Sequence, residues 1–99
     1  MAVTQTQEAT LLHVPTPLRA YTGEEKTVHV TGETVGAALR DLVARHPDLK
    51  PHLYDENGTL RSFVNIYVGD EDIRHLQGEE TPMEAGQELF IIPSIAGGI

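Results

Sequence analysis

The stretch TVGAALRDLVAR, residues 34–45, decides the fold class of this chain. Its apolar residues recur at steps of three and four, which predicts an amphipathic helix. These residues are Val35, Ala38, Leu39, Leu42 and Val43. Thr34 is suited to cap the first turn, and Pro47 predicts an end at Arg45 or His46. One helix with one apolar stripe needs a sheet to cover it, so the stretch predicts an α+β domain.

Two strands are predicted before this helix. Apolar and polar residues alternate over residues 10–14 and again over Thr27–Val30. This alternation is typical of strands with one buried face, and Pro15 ends the first of them. Because a polar turn near Gly23 joins the two segments, we expect them to form a hairpin.

Further elements are predicted after the helix. In chain order they are a short helical turn at 49–54, a polar turn at 55–58, a strand at 63–68, a turn at 69–72, a brief returning strand at 73–76 and a last strand at 89–92, which Pro93 stops. The strand at 63–68, FVNIYV, is the strongest in the chain. Strands on both sides of one helix again predict a single small sheet.

The chain divides into one folded domain and two tails. Residues 1–9 are polar and without periodicity, so we expect a flexible N-terminal tail. Residues 10–93 carry all the predicted elements, and residues 94–99 are expected to form a flexible C-terminal tail that contains Gly97 and Gly98. The sequence shows neither an apolar run that could span a bilayer nor the regions of a signal peptide, which predicts a cytoplasmic protein.

Composition argues against several classes of function. The chain has 15 acidic and 7 basic residues and a formal charge of −8, which argues against nucleic acid and anionic membranes as partners. A basic protein surface is the expected counterpart. The chain also has no cysteine, and therefore no disulfide, no thiolate nucleophile and no zinc site built on thiolates. Any sulfur chemistry must use something other than a side-chain thiol.

The side chains show no pattern of an active site or a metal centre. The histidines, His13, His29, His46, His52 and His75, fall in different segments without a pair at the i, i+4 spacing. The run Asp70-Glu-Asp72 lacks the ligand spacing of a calcium loop and is expected to be a solvated turn. Ser62 and Ser94 lie in no nucleophile motif. We therefore expect neither a catalytic side chain nor a metal ligand.

One face of the predicted sheet is a candidate partner surface. Where Leu89 and Ile91 face the helix, alternation places the apolar residues Phe63, Tyr67, Phe90 and Ile92 on the opposite face, next to Pro93 and the tail. Antiparallel sheets often leave such a face in contact with solvent, and an apolar patch there is typical of a docking surface. A cover of loops over the same residues is equally compatible with the sequence.

The glycine pair in the C-terminal tail is the second candidate site. Because glycine lacks Cβ, a segment such as Ala96-Gly97-Gly98 can thread a narrow channel in a partner enzyme. A glycine carbonyl is also the least hindered one for attack. These properties suit a terminus that is activated as an acyl derivative and then accepts a nucleophile.

These residues together resemble the ubiquitin-like sulfur carriers of the MoaD/ThiS type. The matching segments are VPT at 14–16, LR at 18–19, FVNIYV at 63–68, DED at 70–72, IP at 92–93 and AGG at 96–98. The resemblance covers about residues 10–98 and is closest to carriers that supply sulfur to an alternative cysteine synthase. It implies a β-grasp fold, with a mixed sheet and one main helix packed across one face.

The resemblance also implies a function and its partners. An enzyme of the ubiquitin-activating type would adenylate the carboxylate of Gly98 with ATP, and a sulfur donor would convert it to a thiocarboxylate. The sulfur would pass to a cysteine synthase-like enzyme or another sulfurtransferase, for cysteine or other sulfur-metabolite biosynthesis. The carrier would be no enzyme and would hold no permanent cofactor. Since Ile99 follows Gly98, we expect a protease, such as a metalloprotease, to remove it first.

Three other functions are open on the same residues, and one of them is a plain interaction module, which would tolerate loss of the tail. As the small subunit of molybdopterin synthase, the protein would form a stable heterodimer with a larger catalytic subunit. As a ubiquitin-like modifier, it would be joined through its terminus to lysines of target proteins. The strand motif at 63–68 favours the sulfur carrier.

Overall fold

The computed structural model describes residues 9–84 and 86–93, and within them one mixed sheet and two α-helices. The elements are β1 (Thr10–His13), β2 (Thr27–Val30), α1 (Val35–Arg45), α2 (Lys50–Leu53), β3 (Val64–Val68), β4 (Glu71–Asp72) and β5 (Glu88–Pro93). Short 3-10 helices cover Thr16–Thr22, Pro47–Leu49, Ile73–His75 and Gly78–Glu80. The predicted tails lie outside the described residues, apart from Ala9. No helix in the described part of the chain is both long and apolar enough to cross a membrane.

The sheet has the strand order β2-β1-β5-β3-β4. β1 runs antiparallel to β2, which confirms the predicted hairpin, and parallel to β5. β5 in turn runs antiparallel to β3. The first and last strands are therefore neighbours in the middle of the sheet, and the chain leaves the sheet from a central strand.

The helix α1 packs across one face of this sheet and forms the core with it. Its residues Val35, Ala38, Leu39 and Leu42 are fully buried. They belong to the same cluster as buried residues of the strands, namely Leu12, Val30, Ile66, Leu89 and Ile91. Val43, the last residue of the predicted stripe, is only partly buried. The period of the apolar residues thus predicted the buried face of the helix correctly.

Thr34 caps α1, as predicted, and its removal should cost measurable stability. Its side-chain oxygen accepts a hydrogen bond from the backbone N–H of Ala37 at 3.1 Å. Thr34→Ala should lower the free energy of unfolding by about 1 kcal/mol, measured by urea denaturation. Thr34→Ser, which keeps the hydroxyl, should restore most of it, and Thr59→Ala, in an exposed loop, should have little effect. Equal stability of the Thr34→Ala and wild-type proteins would contradict this role.

After β3 the chain turns back and pairs with β3 earlier than the sequence predicts. Ile73–Leu76 was predicted to pair back, and this prediction is wrong, because β4 is formed by Glu71–Asp72. Gly69 adopts a positive φ of 64°, which allows a tight turn directly after β3. The predicted segment instead begins with a 3-10 helix, capped by the Asp72 side chain, which accepts a hydrogen bond from the N–H of Arg74 at 2.8 Å.

Four strand boundaries, on three strands, differ from the prediction by one residue each. β1 ends at His13, β3 begins at Val64 because Phe63 lies in a turn, and β5 extends from Glu88 through Pro93. Proline is tolerated at the end of this central strand because the ladder between β1 and β5 ends at Phe90. Beyond that point no strand on that side requires the N–H that proline lacks.

Candidate functional site

The sheet face opposite α1 brings together most of the predicted partner surface. Tyr67 and Phe90 are cross-strand neighbours in β3 and β5, and Ile92 is paired with Asn65. Ile92 and Phe63 are 46% and 42% exposed, whereas Tyr67 and Phe90 are half-buried. We call Tyr67, Phe90 and Ile92 of this face, together with the exposed Phe63 of the turn directly before β3, the outer patch. The described loops leave Phe63 and Ile92 open to solvent.

Pro93, which the sequence grouped with this surface, lies differently. It is paired with Val64, whose side chain is buried on the helix side of the sheet. Because paired residues of neighbouring strands project to the same face, Pro93 belongs to the helix side, at the end of β5. The outer patch therefore ends at Ile92.

The sequence analysis missed two polar residues of the outer face, His13 and Glu88. The imidazole ring of His13 stacks on the ring of Phe90, with centroids 4.2 Å apart and planes at 4°. Its Nε2 lies 2.7 Å from Oε1 of Glu88. The cause is the register between β1 and β5, which pairs His13 with Phe90. No local pattern in the sequence could reveal a pairing between segments so far apart in the chain.

The predicted C-terminal tail follows directly on β5 in the sequence. Ala96, Gly97, Gly98 and Ile99 lie outside the described residues. The last described residue is Pro93, at the end of a central strand. In the sequence, the segment that carries the glycine pair therefore follows the strand that contributes Phe90 and Ile92 to the outer patch.

The other histidines and the acidic run do not form a common site. His52, in α2, stacks on Tyr21 with ring centroids 4.2 Å apart. Among the described residues no group of three or more His, Cys, Asp or Glu side chains is placed to hold a metal ion. The run at 70–72 forms the turn and the short strand after β3. The hydrogen bond from the backbone N–H of Arg74 to Asp72 holds the pKa of Asp72 below its ordinary value, and the hydrogen bond from the Arg74 side chain is the second cause.

The fold defines a ubiquitin-like protein of the β-grasp class, as the sequence predicted. The chain belongs to the ThiS family, whose model matches residues 12–98. It is 42% identical over 87 residues to the sulfur carrier protein CysO of Mycobacterium tuberculosis, an alignment that covers 86% of this chain and 94% of that protein. The predicted resemblance to sulfur carriers of this type is thereby confirmed.

Two further relatives bear on the function. A chain in the crystal structure of the Amycolatopsis orientalis BexX/CysO complex has a TM-score of 0.82 and 41% identity, with 91% of this chain and 100% of that chain covered. Small archaeal modifier protein 1 of Haloferax volcanii is 38% identical over 72 residues, which are 72% of this chain and 78% of that protein. The relatives thus include both sulfur carriers and ubiquitin-like modifiers.

Proposed function

We propose that this protein is a sulfur carrier whose working group is the carboxylate of Gly98, converted to a thiocarboxylate for cysteine or other sulfur-metabolite biosynthesis. The observation that carries the proposal is that the family match runs through residue 98 and so includes the glycine pair. The absence of cysteine supports it, because a main-chain terminus then supplies the sulfur atom without a side-chain thiol.

The chemistry follows from the reactivity of a carboxylate. An oxygen of the Gly98 carboxylate attacks the α-phosphate of ATP, which forms an acyl adenylate and releases pyrophosphate. A hydrosulfide ion then attacks the carbonyl carbon, the C–O bond to AMP breaks, AMP leaves, and a thiocarboxylate remains. The partner enzyme supplies the catalytic groups, and this chain supplies a small, unhindered terminus.

Activation requires a free carboxylate on Gly98, and in this sequence Ile99 follows it. The peptide bond between the two residues must therefore be hydrolysed first. A metalloprotease is the class of enzyme that we propose for this step. If Ile99 stayed in place, its β-branched side chain would crowd the terminal carbonyl group. It would also fill a channel that is suited to glycine.

Intact-mass spectrometry tests the proposed function. The chain ending at Gly98 is incubated with ATP, a ubiquitin-activating-type enzyme and sulfide. Its mass should rise by the difference between sulfur and oxygen. The same chain with Ile99 retained is the control and should keep its mass. If neither form gains sulfur, the protein is not a carrier of this kind.

The outer patch is the surface that we propose for the adenylating enzyme and for the sulfur acceptor. Phe63→Ala and Ile92→Ala should each weaken binding to the adenylating enzyme by about tenfold in Kd, because exposed apolar anchors contribute most to such interfaces. Isothermal titration calorimetry measures the effect. Leu76 is similarly exposed, at 43%, but follows the 3-10 helix after β4, so Leu76→Ala is the matched control. Equal affinities of all three variants would exclude the outer patch as the contact surface.

The likeness to an archaeal modifier protein favours one second candidate, attachment of the Gly98 carboxyl group to lysines of target proteins. The sequence dictates how such conjugates would be detected. No Lys or Arg follows Arg74, so trypsin would leave residues 75–98 on a modified lysine. Cleavage after Glu88 would leave the shorter remnant 89–98. Its presence on lysines in cell extracts would establish the modifier function.

A further inference from the structure

A cleft lies at the end of the sheet opposite Pro93, where β3 ends and β5 begins. Its volume is about 630 Å³, and its walls include Asp70, Glu88 and Phe90. Gly69 and Gly86 also line it. A Cβ atom at either glycine would meet nothing within 4 Å, so the backbone there borders open space. Through Phe90 the cleft is continuous with the outer patch.

The charges in this cleft are all of one sign. Among the described residues that line it, Asp70 and Glu88 carry charge and none has a basic side chain. Two other clefts in the described part of the chain differ, because one contains Arg40 and Lys50 beside Glu79, and the other contains Lys50 and Arg61. Of these three clefts, the cleft at β5 is therefore the one in which no basic side chain of the described residues balances the charge of the carboxylates.

Both carboxylates have oxygen atoms available to a partner. Asp70 is exposed and forms no ion pair or hydrogen bond with any described residue. The side chain of Glu88 is 47% exposed, and the imidazole of His13 contacts only its Oε1. His13 covers one face of the Phe90 ring but does not line the cleft. The Phe90 ring is therefore covered by His13 on one face, and another part of the ring forms a wall of the cleft.

We propose that this cleft receives an arginine side chain of the adenylating enzyme, which fixes the orientation of the carrier while its tail enters the active site. The inference rests on the proposed function, since it names a contact with that partner. A guanidinium group stacks on aromatic rings and donates in its plane to carboxylates, and this cleft offers the Phe90 ring together with the carboxylates of Asp70 and Glu88. The formal charge of −8 attracts a basic partner surface to the same molecule.

Arginine fits this cleft better than the alternatives. Lysine carries a compact, strongly hydrated charge that cannot stack or bridge in the same way. A bound metal ion would favour a third protein ligand, and no group of three or more such side chains occurs among the described residues. The aromatic wall would contribute nothing to a hydrated metal ion but contributes directly to a guanidinium contact.

The first experiment tests the cleft without any enzyme. The full chain, labelled with ¹⁵N, is titrated with N-acetyl-arginine methylamide, with the lysine analogue and with MgCl₂ at equal ionic strength. We expect the arginine compound to shift the amide signals of Gly69, Asp70, Gly86 and Glu88 most, and the Asp70→Asn/Glu88→Gln protein to lose these shifts. Equal shifts with lysine or Mg²⁺, or shifts spread over other acidic residues, would overturn the proposal.

The second experiment measures adenylation of the chain ending at Gly98 as ATP-dependent pyrophosphate release. Asp70→Asn/Glu88→Gln should raise KM for the carrier about tenfold at unchanged kcat, because two charged contacts are lost on docking. Asp48→Asn/Glu56→Gln removes the same charge at exposed sites outside the cleft and should stay within about twofold of wild type. Equal KM values for the two variants would overturn the cleft proposal while the function stands. If the wild type is not adenylated at all, the proposed function fails and the contact with the adenylating enzyme fails with it, and the arginine titration then shows only whether the cleft binds a guanidinium group.

Discussion

Gly98→Ala, in the chain ending at residue 98, should slow thiocarboxylate formation by about a hundredfold or more. A methyl group on this residue crowds the carbonyl carbon that the sulfur nucleophile attacks, and it closes backbone angles that glycine alone adopts in a narrow channel. Small displacements of a reacting atom commonly have effects of this size. The rate is measured by intact-mass spectrometry over time, with ATP, the adenylating enzyme and sulfide in excess.

The control for this variant is Ser94→Ala, which lies in the same tail but outside the segment 96–98. Its rate should stay within about twofold of wild type. Neither substitution should change the free energy of unfolding, because the described sheet ends at Pro93. A Gly98→Ala protein that forms thiocarboxylate at the wild-type rate would show that residue 98 is not the reacting terminus.

Gly32→Ala should have the largest effect on stability, a loss of about 3 kcal/mol in the free energy of unfolding. A Cβ atom at Gly32 would lie 2.4 Å from the backbone nitrogen of Ala38 and 2.7 Å from the carbonyl carbon of Ala37. Both atoms belong to α1, which is held by its packing on the sheet, so the clash cannot be relieved by a side-chain rotation. Urea denaturation measures the loss.

Gly23→Ala is the matched control for this clash. Gly23 has a φ of 64°, and a Cβ atom there would meet nothing within 4 Å. Alanine at this position is therefore unfavourable only because of the left-handed backbone conformation, which should lower the free energy of unfolding by about 1–2 kcal/mol. Gly32→Ala should be the more destabilising of the two. If it is the milder one, the close approach between the segment before α1 and the helix itself is not as tight as the structure shows.

Much of the fold followed from local patterns. The spacing of apolar residues predicted α1 and its buried stripe, Thr34 predicted its cap, and alternation separated Ile66 and Ile91 on the inside from Tyr67 and Phe90 on the outside. These patterns are reliable because helix and strand periods place side chains on a face whatever the rest of the chain does. The resemblance of the segments at 63–68 and 96–98 to known carriers indicated the family.

Two errors in the fold had local geometric causes. The turn after β3 closes at Gly69 and Asp70, so Glu71–Asp72 pairs back instead of the more apolar segment that follows it. The 3-10 helix at Thr16–Thr22 was not predicted, because its apolar period is too short to stand out. The hydroxyl of the buried Thr22 lies 3.2 Å from the carbonyl oxygen of Arg19 and 3.0 Å from that of Glu25, and its single proton is shared between these two acceptors, a role that sequence alone does not reveal.

Local sequence was sufficient to establish the α+β class, the main helix, the alternation of the outer patch and the glycine pair of the tail. The three-dimensional structure was needed to establish that β1 lies parallel to β5, and with it the contacts of His13 with Phe90 and Glu88. It was also needed to place Asp70 and Glu88 in one cleft. The physical reason is that periodicity depends on neighbouring residues, whereas strand order and register depend on pairing between segments at opposite ends of the chain.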